Sequence, residues 1–314
     1  MKVVEHIKRA TKPLISFEII PPMRGGNIKS LLDLIESLAK YKPPFIDITS
    51  HAAQVFYDET PDGLKRKSIR KRPGTLGICA LIQKKFNIDA VPHILCNGFT
   101  REETEDLLID LQYLEIENIF AVRGDDTIKK ITDGRTVNKY ASELVKQIND
   151  MNKGKYLEEH LLDARSSDFC IGVAAYPEKH FEAPNLDTDI LYLKQKIDAG
   201  ASYIVTQMFY NNDYFFNFEN KCREAGINVP IIPGLKILTS KNNLNTLPKN
   251  FHIDLPTDFT KEIMKCSDDK VDEVGIDWAF NQVKDLLTRK VPAIHFYVMQ
   301  NSRVINILLD RLGI

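Results

Sequence analysis

The sequence predicts an α/β fold, a (βα)8 TIM barrel in which residues 1–314 form a single domain. Three observations support this prediction: apolar, β-branched runs recur along the chain, helix-like stretches lie between most of them, and polar clusters follow several runs directly. Strands that are apolar on both faces and alternate with helices indicate a parallel sheet, and eight such units close into a barrel of typically ~250 residues. With 314 residues and 43% hydrophobic content, the chain can bury a core of that size.

The strand candidates are short runs rich in Val, Ile, Leu and Phe, about eight in number. They are Leu14–Ile20, Phe45–Thr49, Val91–Cys96, Asn118–Val122, Phe169–Ala175, Tyr203–Met208, Val229–Pro233 and Ala293–Val298. Barrels of this kind take their catalytic side chains from the C-terminal ends of the strands. The polar residues at those ends are therefore the first candidates for a functional site.

The helix candidates carry apolar residues at three- and four-residue spacing. They are Ile28–Lys40, Arg101–Leu114, Val137–Met151, Asp187–Ala199 and Tyr214–Ala225. Thr100, three residues before Glu103, predicts a capped helix start. The remaining residues form three insertions between strands. The first is a polar and basic stretch, Gln54–Lys85, the second precedes the fifth strand, Asn152–Asp168, and the third is mostly helical, Lys241–Arg289.

Charge and hydropathy argue against polyanionic and membrane partners. Lys and Arg number 42 against 43 Asp and Glu, a net charge of -1, so no overall field attracts nucleic acid or an anionic membrane. The N-terminus Met1–His6 lacks an apolar signal core, and no apolar run approaches the ~20 residues of a membrane helix. We therefore expect a cytoplasmic protein, and the sequence leaves a homo-oligomer open.

Cysteine usage predicts neither disulfides nor a zinc site. The chain has 5 cysteines, Cys79, Cys96, Cys170, Cys222 and Cys266, scattered without CxxC spacing. We interpret them as buried thiols. The histidines form no HxH or HExxH pattern, so no metal is predicted.

Glu18 is the sharpest single candidate. A carboxylate between Phe17 and Ile19 would be costly to bury as an ion. Either it reaches solvent at a loop, where it could cap a helix, or its pKa is raised for general-acid work.

Two further candidates have equally ordinary interpretations. Arg123-Gly124-Asp125 offers a cationic fork, a permissive glycine and a carboxylate, but a turn in which Arg123 and Asp125 pair would look the same. His93 lies in an apolar run, where a core histidine bonded to a carbonyl is the more common outcome.

Lysine chemistry gives an alternative function. Lys236 could be the Schiff-base lysine of a class I aldolase-like barrel, although a solvated loop lysine fits its position too. The basic run 65–72 lacks interleaved aromatic residues and is interpreted as a solvated loop, with a local anion contact left open. Neither GxGxxG nor GxxxxGK[ST] occurs, so a nucleotide cofactor would not be held by a Rossmann turn or a P-loop.

A succession of motifs closely resembles the methylenetetrahydrofolate reductase family from Leu14 to the C-terminus. The motifs are Phe17-Glu18-Ile19-Ile20-Pro21-Pro22, Pro92-His93, Val122-Arg123-Gly124-Asp125, Tyr140-Ala141-Ser142, Ala174-Ala175-Tyr176-Pro177-Glu178-Lys179-His180, Asp198-Ala199-Gly200-Ala201, Thr206-Gln207, Ile232-Pro233-Gly234 and His295-Phe296-Tyr297. The resemblance implies a (βα)8 barrel with non-covalent FAD. NADH or NADPH would reduce the flavin, which would reduce 5,10-methylenetetrahydrofolate to 5-methyltetrahydrofolate in one-carbon and methionine metabolism.

The resemblance also assigns roles residue by residue. Glu18 matches the general acid and Asp125 a carboxylate near the flavin, whereas Gln207 and Tyr297 match substrate-binding positions. The positions that match FAD contacts are Thr49, His93, Arg123, Gly124, Asp125, Tyr140, Ala141, Tyr176, His180, Ala183, Asp189 and Lys196.

Some positions depart from the family pattern. Lys241 stands where many bacterial members carry an aromatic residue that stacks on nicotinamide or folate, and Asn301 stands in place of an arginine for which Arg303 could substitute. The sequence ends at Ile314, so the C-terminal regulatory domain of eukaryotic members, and allosteric inhibition through it, are not expected. A folate- or flavin-binding barrel without turnover is the alternative outside the enzymes.

Overall fold

The computed structural model describes residues 1–61, 63–124 and 135–314, whose main sheet is a ring of parallel strands. The strands are β1 (Leu14–Ile19), β2 (Phe45–Ile48), β3 (Gln54–Thr60), β4 (Gly63–Ile69), β5 (Asp89–Leu95), β6 (Asn118–Val122), β7 (Cys170–Ala175), β8 (Tyr203–Thr206), β9 (Ile231–Ile232), β10 (Gly234–Leu235) and β11 (Ala293–Met299). Neighbours in the ring follow the order β10-β11-β1-β2-β5-β6-β7-β8-β9. Only Pro233 separates β9 from β10, so these two are halves of one strand, and the eight-stranded barrel prediction is confirmed.

Helices alternate with the barrel strands. They are α1 (Val3–Arg9), α2 (Ile28–Ala39), α3 (Leu76–Leu81), α4 (Arg101–Tyr113), α5 (Ala141–Asn152), α6 (Leu186–Asp198), α7 (Asn212–Glu224), α8 (Asn243–Phe251), α9 (Thr257–Lys265), α10 (Val271–Thr288) and α11 (Arg303–Leu312). The predicted cap of α4 is confirmed, because Thr100 Oγ1 accepts from the Glu103 amide at 3.1 Å and Glu103 Oε2 accepts from the Thr100 amide at 2.7 Å. None of the helices in the described ranges has the length and apolar composition needed to cross a membrane.

The barrel strands are apolar because both of their faces are covered. One face packs inside the ring, in a cluster that contains Phe45, Val91, Phe120, Cys170, Tyr203, Ile232 and Ala293. The opposite face packs under the helices, as Ile46, Ile119 and Ile204 do. Helix α1 joins the inner cluster through Val3, whose amide donates to Asn118 Oδ1 at 2.8 Å. Because alternate side chains of a strand point into the barrel, an inward-facing polar residue near the C-terminal end of a strand lies at the barrel mouth.

The prediction of a solvated loop for the basic run 65–72 is wrong for most of its length. Strands β3 and β4 form an antiparallel hairpin outside the barrel, and Lys65 and Lys67 lie within β4. The side chains of Phe56, Tyr57 and Leu64 are exposed although they are apolar. A strand with charged or exposed residues on both faces gives no period-2 signal, so the sequence pattern did not reveal the hairpin.

Other boundaries also differ from the sequence predictions. Helix α5 begins at Ala141 rather than at Val137. The predicted excursion before the last strand is mostly helical, since it contains α8, α9 and α10. Four of the cysteines are buried, but Cys266 is partly exposed, so the prediction of uniformly buried thiols is wrong for that residue.

Candidate active site

A cavity of about 770 Å³ opens at the C-terminal ends of the barrel strands. Seven of the predicted site residues contribute to its wall, namely Thr49, His93, Arg123, Gly124, Tyr176, His180 and Gln207. They follow or end strands β2, β5, β6, β7 and β8, so the barrel gathers residues more than 150 positions apart in the chain. The cavity has the size of a cofactor site, which is usually about 300–1,000 Å³.

Glu18 lies next to this cavity, inside the barrel mouth. It sits on β1 in register with Asp47 of β2 and Tyr297 of β11. Its Oε2 lies 3.6 Å from Nε2 of His93, which lines the cavity, and 3.8 Å from Nε2 of His295. Only 11% of the Glu18 side chain is exposed, so it does not reach solvent as a loop carboxylate would.

The charges around Glu18 decide its protonation state. Burial alone raises the pKa of Glu18, but His93, His295 and Lys236 oppose burial and hold the pKa below its ordinary value. Burial lowers the pKa of His93, yet the carboxylates of Glu18 and Asp47 outweigh it and raise the pKa. These shifts favour an ionised Glu18 beside a protonated His93. The expectation that the pKa of Glu18 is raised is wrong for this state of the protein.

His93 is not the carbonyl-bonded core histidine that its sequence context favoured. Its Nε2 lies 3.6 Å from Glu18 Oε2 and 3.6 Å from Asp47 Oδ2, and its ring packs at 4.9 Å from that of Phe120. These contacts join β5 to β1, β2 and β6. Such a site between two carboxylates favours the charged imidazolium.

Lys236 is not a solvated loop residue either. It follows β10, it is partly buried, and burial lowers the pKa of its ammonium although the Glu18 carboxylate opposes that change. Lys236 thus acts on Glu18 together with His93 and His295.

The Arg123-Gly124-Asp125 turn is only partly described. The Arg123 guanidinium forms a two-pronged ion pair with Glu182, with N···O distances of 2.6 and 2.9 Å. Gly124 adopts a positive φ of 83°, which explains a glycine at this turn. Asp125 lies outside the described residues, so its predicted position beside the flavin stays a prediction.

Several predicted FAD contacts support the loop after β7 rather than line the cavity. Asp189 Oδ2 accepts from the His180 amide at 2.8 Å, and Lys196 Nζ donates to the Ala174 carbonyl at 2.6 Å. Burial lowers the pKa of Lys196 to about 8, against the opposing effect of Asp189. Ala183 is buried in the same loop, where its amide donates to the His180 carbonyl at 3.0 Å.

The other predicted residues lie in three places. Tyr140 is exposed and, with Ala141, starts α5, away from the cavity wall. Gln207 lines the cavity, and its Oε1 accepts from the Met208 amide at 2.9 Å. Tyr297 is partly buried beside Glu18, and its hydroxyl donates to the Thr206 carbonyl at 2.6 Å. Its burial raises the pKa of the phenol, which stays neutral.

Sequence reasoning missed a row of aromatic rings in the cavity wall. His180 and Phe181 have ring centroids 4.7 Å apart, and Phe181 stacks on His252 at 4.6 Å. The other lining residues that were not predicted are Met23, Ser50, His51, Ala52, Lys71, Arg72, Leu95, Val122, Asn250 and Phe251. His51 could have been predicted as a lining residue, since it comes two residues after the predicted second strand. Phe181 and His252 had none, because only the fold brings these distant positions together.

The residues that depart from the family pattern do not line the cavity. Lys241 pairs with Asp268 at 3.1 Å, and Arg303 pairs with Asp272 on α10. The side chain of Asn301 accepts from the Arg303 amide at 2.9 Å. Within residues 1–61, 63–124 and 135–314, no group of three or more His, Cys, Asp or Glu side chains is arranged to hold a metal ion.

Comparison with known proteins gives one consistent family. The family model described as methylenetetrahydrofolate reductase matches residues 2–313. Methylenetetrahydrofolate reductase 1 of Schizosaccharomyces pombe is 30% identical, over 96% of this chain and 46% of its own length. Methylenetetrahydrofolate reductase (NADH) 1 of Arabidopsis thaliana is 30% identical, over 99% of this chain and 50% of its own length. The chain thus spans about half the length of these two relatives.

A bacterial relative matches over most of both chains. The 5,10-methylenetetrahydrofolate reductase of Escherichia coli is 29% identical, over 96% of this chain and 90% of its own length. Among solved structures, an uncharacterized protein from Clostridium thermocellum that binds two copies of 5-methyl-5,6,7,8-tetrahydrofolic acid has a TM-score of 0.56. The match covers 98% of both chains at 15% identity, so it shows a similar fold only.

Proposed function

Because this chain belongs to the methylenetetrahydrofolate reductase family, we propose that it reduces 5,10-methylenetetrahydrofolate to 5-methyltetrahydrofolate, with bound FAD and electrons from NADH or NADPH. The observation that carries the proposal is the buried Glu18, which lies one side chain behind the cavity wall. A buried carboxylate beside a ligand cavity, with charged groups that shift its pKa, is a candidate for acid–base catalysis. The proposed partners are the folate substrate and the nicotinamide nucleotide. We also propose that the protein is cytoplasmic and that the barrel forms one catalytic domain.

The cavity fits a flavin dinucleotide in size and in its free polar groups. Thr49 Oγ1 is buried and has no hydrogen-bond partner among the described residues, and Thr49 lines the cavity. Buried polar atoms without partners are costly, so such atoms mark places where a ligand supplies the missing bond. Bound FAD would supply hydride transfer between the nicotinamide and the folate. Thr49, His93, Gly124, Tyr176 and His180 would hold it.

The protein's own groups supply the proton and the orientation. Opening the methylene bridge of the folate requires a proton on a ring nitrogen, and Glu18 is proposed to deliver it. Gln207, whose side chain is oriented by the Met208 amide, is proposed to contact folate and nicotinamide in turn. Tyr297 is fixed by its bond to Thr206 and is proposed to shape the substrate side of the mouth.

The first test is cofactor binding. We expect yellow protein that releases FAD on denaturation, and bleaching by NADH or NADPH that 5,10-methylenetetrahydrofolate reverses. Thr49→Val removes the unpartnered hydroxyl and should weaken FAD binding roughly fivefold, the effect of one hydrogen bond of about 1 kcal/mol. Thr288→Val, on the exposed face of α10, should leave binding unchanged. Fluorescence titration of the apoprotein with FAD measures both, and colourless protein that ignores added FAD would contradict the cofactor.

A second prediction concerns Asp125. The resemblance places this carboxylate near the flavin, where a negative charge disfavours the anionic reduced ring. Asp125→Asn should therefore raise the midpoint potential and slow folate reduction more than NAD(P)H oxidation. Asp187→Asn, which removes a surface partner of Lys221, is the matched control. A spectroelectrochemical titration gives the potential, and an unchanged value would show that Asp125 is structural.

Lys236 supports one alternative function, a class I aldolase-like reaction. Its partly buried position next to Glu18 and its lowered pKa are features of a Schiff-base lysine. Borohydride trapping of a lysine adduct in protein without flavin would favour an aldolase-like reaction. A bound flavin that neither NADH nor NADPH bleaches would instead favour a binding protein without turnover.

A further inference from the structure

A second buried carboxylate, which the proposed reaction has not used, lies beside Glu18. Asp47 is in register with Glu18 on the neighbouring strand, and its side chain is 1% exposed. Its Oδ1 has no hydrogen-bond partner among the described residues. An ionised carboxylate in such a place requires a close counter-charge, because its desolvation is otherwise uncompensated. The Nε2 of His93, 3.6 Å from Asp47 Oδ2, is positioned to provide that charge.

The same imidazole nitrogen faces both carboxylates. His93 Nε2 lies 3.6 Å from Asp47 Oδ2 and 3.6 Å from Glu18 Oε2. The ring's neighbour on β6 is Phe120, which carries no charge. On the far side of Glu18, His295 approaches to 3.8 Å, and Lys236 acts on the same carboxylate. The neutral phenol of Tyr297 completes the surroundings and donates its proton elsewhere, to the Thr206 carbonyl.

We propose that His93 stores the proton that Glu18 delivers to the folate, and that Asp47 is the positioning residue that keeps this proton on Nε2. In the step, the two atoms close from 3.6 Å to hydrogen-bonding distance, the Nε2–H bond of His93 breaks and an O–H bond forms on Oε2 of Glu18. The imidazole becomes neutral, Glu18 becomes a carboxylic acid, and no electron is transferred. The delivery to folate rests on the proposed function, whereas the storage of the proton does not.

The geometry gives each of the three residues a different part. His93 lines the cavity and Glu18 does not, although their side chains are similarly exposed, at 9% and 11%. Glu18 lies within 3.6 Å of the stored proton's nitrogen. Asp47 is too deeply buried to meet substrate and acts through His93. The raised pKa of His93 and the lowered pKa of Glu18 agree with a proton held on the imidazole.

The test of storage uses nuclear magnetic resonance on ¹⁵N-histidine- and ¹³C-glutamate-labelled protein, and it does not require turnover. In the unaltered protein, His93 should titrate above its ordinary pKa while Glu18 is ionised at neutral pH. Asp47→Asn should lower the pKa of His93 by about one unit or more, the usual effect of a carboxylate at this range. Asp89→Asn is the matched control, since Asp89 lies at the opposite end of β5 from the cavity and pairs with His6 at 2.6 Å. It should leave His93 unchanged.

The test of delivery is the pH dependence of folate reduction by reduced enzyme. His93 carries the proton at pH values below its pKa and loses it at higher pH. Lowering that pKa therefore moves the alkaline limb of the pH–rate profile, where the rate of folate reduction falls, to lower pH. Above the limb, the rate of Asp47→Asn should fall about tenfold for every pH unit by which the pKa of His93 has dropped, and well below the limb it should not change. A simple structural defect would reduce the rate at every pH.

The possible outcomes separate the two proposals. A protonated Glu18 beside a neutral His93 in the unaltered protein overturns the storage proposal even if Asp47→Asn does not fold. An alkaline limb that stays in place while the pKa of His93 falls overturns it too. Failure of the unaltered protein to reduce folate would instead count against the proposed function, and the resonance measurements would still decide storage.

Discussion

Replacing Glu18 by Gln is expected to stop folate reduction while leaving the oxidation of NAD(P)H nearly normal. Hydride transfer from the nicotinamide requires no acid that acts on folate, whereas opening the methylene bridge does. Gln keeps the size of the side chain but has no carboxylic proton to donate, and loss of a general acid typically costs ~10²–10⁴-fold in rate. Rapid mixing, with bleaching and recovery of the flavin colour followed separately, measures the two half-reactions.

A matched control removes a glutamate elsewhere. Glu105 on α4 is partly buried and accepts from the Leu157 amide at 2.8 Å, so Glu105→Gln makes the same chemical change outside the cavity. Both half-reactions should be unaffected in that variant. Equal losses in both half-reactions of Glu18→Gln would mean that Glu18 holds the site together and is not its acid.

The barrel could be predicted from sequence because its strands are covered on both faces. Runs such as Asn118–Val122 and Phe45–Ile48 are apolar at nearly every position, since the ring interior and the helices each bury one face. The seventh strand was predicted to end at Pro233, whereas in the structure it continues as β10 beyond this residue, which has no amide hydrogen for the ladder. The β3–β4 hairpin was missed because its exposed faces carry no comparable pattern.

The position of the candidate site could be predicted from the strand ends, but the charges that surround Glu18 could not. Five residues from the polar clusters that follow predicted strands line the cavity, namely Arg123, Gly124, Tyr176, His180 and Gln207. The pKa of Glu18 was expected to rise because the chain shows only its apolar neighbours, Phe17 and Ile19. The groups that reverse this effect, His93, His295 and Lys236, all lie 75 or more positions away in sequence. Local sequence cannot report charges that only barrel closure brings together.

Barrel closure beside Glu18 also explains why Gly234 can carry no side chain. A Cβ at this position would lie 2.2 Å from the Thr206 carbonyl oxygen and 2.7 Å from Cε2 of Tyr297. Real Cβ atoms do not approach backbone oxygens this closely, so β8 or β11 would have to move. Either movement strains the bond from Tyr297 to Thr206 and the 3.0 Å bond from the Gly234 amide to Thr206 Oγ1.

Gly234→Ala is therefore expected to lower the free energy of unfolding by at least the ~1–3 kcal/mol typical of overpacking. Gly77→Ala is the control, because Gly77 lies on the exposed surface of α3 with nothing within 4 Å of the added Cβ. There the same methyl should be neutral or stabilise the protein by about 0.5–1 kcal/mol through helix propensity. Urea unfolding of both variants measures the difference. Equal stability would show that the closing strands are loose enough to accept the added methyl group.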